Sequence, residues 1–238
     1  MKFVSLLPAV IFFLTVSQFS YSQNFTINDS VDDILKSGES DSLIEKKLLD
    51  IIKKKDGQPI ERLLVARRLL SFSEKKKNIE SQALALEHIS IAQRNMGDYA
   101  SAIKSSLDAL RIYDKLNLPE KVAALQLQIG SHFTAEKNFS KARQYMNKGL
   151  ESLYQQQDSS QIVLALINLG ETYRLNGKPD SAALLFKECL ELNQLYASPR
   201  KQVINAYAEG NLGMVFSTQG KDQEAIKLLK SSINTLGE

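Results

Sequence analysis

From Asn78 to the C-terminus, apolar residues recur at three- and four-residue spacing in blocks, separated by short polar stretches carrying Gly, Asn, Asp or Pro. That period predicts amphipathic helices joined by tight turns. The stretch Asn168–Leu190, NLGETYRLNGKPDSAALLFKECL, shows the unit most clearly. Leu169, Gly170 and Tyr173 mark a first helix, Asn176-Gly177 its stop, and Ala182, Phe186 and Cys189 a second helix. Small residues stand where two helices would touch, and bulky ones where a gap has to be filled.

The unit returns. Ser90, Gly130, Gly170 and Gly213 are the small residues of four successive first helices, in steps of 40, 40 and 43 residues. Ala102, Ala142, Ala182 and Ala225 match them in the second helices, followed by Ala109, Gly149, Cys189 and Ser232. Apolar columns flank them, Ile89, Ile129, Leu169 and Leu212 before, and Leu110, Leu150, Leu190 and Ile233 after. A small side chain at a crossing lets helix axes close toward the lower end of the usual 8–10 Å. Each hairpin is therefore expected to close at the Gly170 position against the Ala182 face, with the Cys189 face taking the next hairpin. A single hairpin cannot bury both faces, so the units must stack. The fold class this predicts is all-α, a right-handed α-solenoid of stacked helical hairpins, with four repeats over 76–238.

Ahead of the regular beat, Asp41 is expected to cap a helix with Leu43, Ile44, Leu48, Leu49, Ile51 and Ile52 on its apolar face. It closes in Lys53-Lys54-Lys55 and Asp56-Gly57, cations and then glycine, as helix C-termini favour. Pro59 suits the first turn of a following helix that would bury Ile60, Leu63, Leu64, Ala66, Leu69 and Leu70. The pair, 41–73, reads as a degenerate N-terminal hairpin. Residues 23–40 are polar and weakly periodic, a flexible lead-in with a turn of helix near Val31 to Leu35. Residues 1–22 have the layout of a secretory signal peptide: Lys2, an apolar run from Phe3 to Val16, and small residues at Ser20 and Ser22. The run, about 14 residues, is short of the roughly 20 that span a bilayer. Cleavage before Gln23 is expected, retention as an anchor being the alternative, so the chain reads as exported, periplasmic or secreted. At the other end Ile226, Leu229 and Ile233 lie on a face that a further hairpin would cover. The array therefore reads as incomplete, the front part of a longer protein, or else prone to self-association there.

Composition narrows function mainly by exclusion. The chain is 43% apolar with 5 Pro in 238 residues, which argues against global disorder, and a net charge of +3 does not point to nucleic acid. Cys189 is the one cysteine, so no internal disulfide forms; its place in a packing column reads as a buried small hydrophobe. His88 and His132 are the only histidines, read as polar helix-surface residues, and no metal-ligand, phosphate-loop or nucleophile motif occurs. No cofactor is expected and no enzyme. Asn24, Asn28 and Asn138 open glycosylation-type triplets, a pattern common by chance. Residues 36–77 carry 12 Lys/Arg against 7 Asp/Glu. That surplus fits either an anionic lipid or acidic partner, or helix-end cations on a solvated face.

The repeated residues resemble the tetratricopeptide repeat, whose 34-residue motif carries Leu-Gly and an aromatic in its first helix, then alanine, an aromatic and alanine in its second. Leu169, Gly170, Tyr173, Ala182, Phe186 and Cys189 fall on those positions. So do Leu212, Gly213, Phe216 and Ala225; Ile129, Gly130, Phe133 and Ala142; and, more weakly, Ile89, Ser90, Ala102 and Ala109. The consensus tryptophan is absent, and the period is nearer 40 than 34. Longer repeats of this kind are similar to those of kinesin light chains and bacterial peptide-responsive regulators. The run Glu209 to Phe216 with Gln219 to Asp222 resembles the exported sensory region of bacterial membrane cyclases, a role also seen with histidine kinases.

The resemblance implies a protein- or peptide-binding groove along the first helices. Its groove positions are Glu87, His88, Ile91 and Arg94 in one repeat and Gln128, Ser131 and Thr134 in the next. Asn168, Glu171 and Arg174 follow, then Asn211, Met214 and Ser217. Asn168 and Asn211 are amides able to donate to and accept from a peptide backbone, or else to bridge neighbouring helices. Arg94 and Arg174 are either groove cations or members of surface pairs with Glu87 and Glu171. The family's clamp for a C-terminal carboxylate needs cations where Leu84, Ala124, Leu164 and Tyr207 stand. The implied roles are the extracytoplasmic sensory part of a signalling protein with its cyclase or kinase elsewhere, or a stand-alone exported scaffold.

Overall fold

The computed structural model describes residues 27–195 and 200–237. The expected signal segment and the triplet at Asn24 lie outside them. Eleven helices and no strand occur among the described residues. The chain divides into two compact units, Met1–Met96 and Gly97–Glu238, each treated on its own below.

In the first unit, residues 27–36 form helix α1, followed by α2 (Asp41–Lys54), α3 (Pro59–Lys76) and α4 (Ile79–Asn95). The expected flexible lead-in is thus largely helical. Ile27 and Val31, four residues apart, are buried with Ile44, Leu48, Ile52, Val65 and Leu69, a gain in burial that orders the segment. The boundaries of α2 and α3 agree with the caps read from sequence, but Asp41 is in the first turn and pairs with Lys76, and Ser40 is the N-cap. Ile60 is exposed rather than buried; Val65 takes the core position. Glu45 is buried because Asn78 and Ser81 both donate to its carboxylate, at 2.7–3.0 Å. Arg62 is buried between Asp56 and His88.

The second unit contains α5 (Tyr99–Lys115), α6 (Pro119–Ala135), α7 (Phe139–Gln156), α8 (Ser159–Leu175), α9 (Pro179–Leu195), α10 (Lys201–Thr218) and α11 (Asp222–Leu236). Each is 15–18 residues long. Left-handed residues end the helices at a fixed beat: Lys77, Gly97, Asn117, Lys137, Gln157 and Gly177 fall 20 residues apart, and Gly220 closes α10. At six of these ends the amide just after the left-handed residue donates back five residues, as in Asn138 to Phe133 at 2.8 Å and Lys178 to Tyr173 at 3.0 Å. Asp98, Asn138 and Asp158 then accept from the amide three residues on, capping the next helix at 3.1–3.3 Å. The 40-residue period is therefore two equal helix-and-turn steps. Relative to the 34-residue motif, each helix is longer by about three residues, just under a turn. The extra residues of the last step fall between Leu195 and Lys201. Asn138, which opens a glycosylation-type triplet, is committed to a helix cap.

All twelve small-column residues are buried. A β-carbon on Gly130 would collide with Met146 Cγ and meet the Ala142 carbonyl at 3.0 Å, and one on Gly213 would meet Leu229 Cγ at 2.9 Å and the Ala225 carbonyl at 3.2 Å. The first small column thus closes on the alanine column of its own hairpin. The last column meets its own hairpin as well, and Cys189 shares a buried cluster with Ile204 and Ala208 of the next. Gly149 lies against Leu127 and the Ala123 carbonyl, and the Cys189 thiol donates to the Val163 carbonyl at 3.4 Å, both on the first helix of the same hairpin. Two small columns are needed because two 17-residue helices stay in contact over most of their length.

Candidate groove on the first helices

Helices α6, α8 and α10 are neighbours in the second unit. Thr134 Oγ1 and Thr172 Oγ1 bond at 2.8 Å across α6 and α8, and Thr172 also bonds the Asn168 carbonyl at 2.8 Å. The 20-residue beat brings equivalent positions of these helices into rows. One row holds Ala124, Leu164 and Tyr207; the next Gln128, Asn168 and Asn211; the third Ser131, Glu171 and Met214; the fourth Ala135, Leu175 and Thr218. Within each helix the members are spaced four, three and four residues apart, so they share one face. None of them is buried.

The face is polar in its middle and apolar along its edges. Asn168 is exposed, and its side-chain amide makes no hydrogen bond among the described residues. Asn211 Nδ2 donates to the Tyr207 carbonyl at 3.0 Å, within its own helix. Neither asparagine bridges helices. Gln128 reaches Ser106 at 3.4 Å, and Ser131 Oγ donates to the Leu127 carbonyl at 3.2 Å. Glu171 and Arg174 pair in bidentate fashion at 2.7 and 2.6 Å. That hydrogen bonding holds the guanidinium pKa above its ordinary value. Each charge is answered by the other, leaving the centre of the face neutral. Leu164, Leu175, Tyr207 and Met214 are exposed large apolar side chains; Tyr207 keeps 54% of its surface and Leu175 49%. Sequence reasoning had named Leu164 and Tyr207 only as the places where a carboxylate clamp lacks its cations, and Leu175 not at all. Their spacing with Asn168 and Asn211 was the available signal.

Arg94 belongs to the first unit, where it is exposed and donates to Asn95 Oδ1 at 3.3 Å. His132 is fully buried in α6, not a surface residue, and His88 is half-buried beside Arg62. Cys189 is buried, and desolvation, with the nearby Glu188 charge, pushes its thiol pKa up to about 12. No group of three or more metal-ligating side chains occurs among the described residues, and none of their helices is long and apolar enough to cross a membrane.

Residues 161–236 match the tetratricopeptide repeat family. The solved structure of BtubC (BKLC) from P. vanneervenii is similar at 18% identity and a TM-score of 0.73, over 91% of each chain. The fold is a tetratricopeptide-like α-solenoid. Two further structures are complexes. A Rap protein with Competence and Sporulation Factor matches at 18% identity and a TM-score of 0.70, over 88% of this chain and 58% of that one. NprR with its cognate peptide NprX matches at 15% identity and a TM-score of 0.66, over 97% and 67%. No curated protein matches. Tetratricopeptide repeats of this kind support protein–protein interaction as the activity class.

Proposed function

We propose that this chain binds an extended segment of a protein or peptide across α6, α8 and α10. The observation that carries the reading is the exposed face where the unpaired amide of Asn168 lies among Leu164, Leu175, Tyr207 and Met214. Apolar side chains left in water at helical spacing stabilise the chain little unless a partner covers them. A free amide can satisfy a backbone that would otherwise lose its hydrogen bonds on burial. The Rap and NprR complexes support a peptide ligand as a precedent for the fold. The substitution pair Asn168→Ala, Asn211→Ala tests the site: partner binding should weaken at least tenfold with helicity unchanged, while Lys148→Ala on α7 leaves it intact. Equal binding by all three would sink the assignment.

The composition of Met1 to Ser22 supports an exported setting, with the membrane reached only through a retained signal segment or a larger parent protein. There the module would serve as the sensory or interaction region of a signalling protein whose nucleotide cyclase or kinase domain lies elsewhere. The resemblance of Glu209–Phe216 to the cyclase group favours this over a stand-alone scaffold. Reading the coding frame beyond Glu238 into an apolar span and a catalytic domain would support it; a stop codon would favour the scaffold.

A further inference from the structure

The first unit carries a cleft of about 270 Å³ lined by Leu35 of α1 and by Arg68, Ser71, Phe72, Lys75 and Lys76 of α3. Its composition is unlike that of the amide-bearing groove. Leu35 and Phe72 pack on the core of the unit and give the cleft an apolar floor. Around that floor stand three cations. Arg68 pairs with Asp32 and Lys76 with Asp41, the latter at 2.7 Å, and Lys76 also sits 5.5 Å from the centre of the Phe72 ring. These pairs fix two of the cations and cancel their charge. Lys75 has no ion-pair partner among the described residues, and Arg68 Nε is buried without a hydrogen-bond partner. The cleft therefore has one uncompensated positive charge, the Ser71 hydroxyl and an apolar floor.

We propose that this cleft binds an organic monoanion that joins one carboxylate to a single aromatic or similarly compact apolar body. The carboxylate answers Lys75, the cation left without an ion-pair partner among the described residues; a second negative charge would meet Asp32 and Asp41 with nothing left to neutralise it. The apolar body covers Leu35 and Phe72. The volume is at or below the lower end of the roughly 300–1,000 Å³ of drug-sized sites, so the ligand is about as large as one aromatic amino-acid residue. The same chemistry is offered by a free arylalkyl carboxylate and by a peptide ending in phenylalanine.

Amide chemical shifts of the purified full chain, followed while 3-phenylpropanoate is added, test the proposal. Saturable shifts centred on Leu35, Ser71, Phe72 and Lys75 are expected, with 3-phenylpropan-1-ol and inorganic phosphate each binding at least tenfold more weakly. Lys75→Glu should weaken binding at least fivefold, and Lys75→Arg should restore it, with circular dichroism unchanged in both. Gly-Gly-Phe with a free C-terminus and its C-terminal amide separate the sources. Binding of the acid form alone extends the site to chain ends, while binding of neither peptide beside 3-phenylpropanoate assigns it to free carboxylates. Absence of saturation, equal binding of the alcohol, or indifference to Lys75→Glu would overturn the proposal.

Discussion

Replacing Gly170 by alanine adds one methyl group in a helix, a change that ordinarily stabilises by about 1 kcal/mol. Here it should destabilise. The new β-carbon would stand 2.6–2.9 Å from three atoms of the Phe186 ring, short of ordinary contact by about 0.5–0.8 Å. The ring is fully buried, so any swing has to displace core neighbours. Overpacking of this kind costs about 1–3 kcal/mol, which exceeds the propensity gain over most of its range. Gly149→Ala should be at least as damaging, because the Ala123 carbonyl at 2.9 Å is backbone and has no rotamer to change. Gly213→Ala should be mildest, since the half-buried Leu229 can yield. The assay is urea denaturation followed by helical circular dichroism, comparing midpoints, as repeat arrays need not unfold in two states. Phe186→Leu placed in the Gly170→Ala background should recover stability relative to the sum of the two single effects. A midpoint that rises with Gly170→Ala, or a ranking with Gly213 worst, would refute the close-packed hairpin.

Asn138→Ala removes the cap of α7 and should lower stability by about 0.5–2 kcal/mol in the same denaturation assay; no loss would mean that the turn is held by its backbone bonds alone. Cys189 should resist a thiol reagent at pH 8 in the folded protein and react at once in urea; rapid native labelling would contradict its burial. Because its folded pKa is raised to about 12 from an ordinary 9.0, its contribution is intact below pH 9 and is lost as pH climbs from 9 toward 12. Cys189→Ala should flatten that part of the stability profile. The Asp98 carboxyl is held below its ordinary pKa by the Ser101 hydrogen bonds, so its contribution is present above about pH 4 and is lost as pH falls further. Asp98→Asn should lose less stability than the parent between pH 4 and pH 2; identical acid profiles would dismiss the cap.

The regular part of the fold was legible because packing repeats itself. Gly130, Gly170 and Gly213 recur where helices touch, and periodic spacing survives even when the aromatic at each site changes. What the columns do not contain is direction. Cys189 reads from its column as a spacer toward the next hairpin, and the Val163 carbonyl shows that it meets the first helix of its own as well. The same holds for Gly210, which lies against Ser232 as Leu127 lies against Gly149, a size exchange between two columns that neither column reveals alone. The helix at residues 27–36 was hidden by a polar composition, since two buried residues, Ile27 and Val31, suffice to order it against a core formed by later helices. His132 was misplaced because a histidine looks polar while its position in α6 faces inward. For the groove, the amides and their rows were visible; the exposed apolar residues around them were not, because an apolar residue at helical spacing is normally core.

The most direct test of binding along α6, α8 and α10 is site-specific photo-crosslinking in the source cells, with a benzophenone amino acid placed at Asn168, at Tyr207 or at Leu184. Asn168 and Tyr207 are on the proposed face, whereas Leu184 is an exposed apolar residue of the second helix α9. The account predicts one shared adduct from Asn168 and Tyr207 that Leu184 does not give. The same adduct from Leu184, or none from the two groove positions while Leu184 reacts, would contradict it.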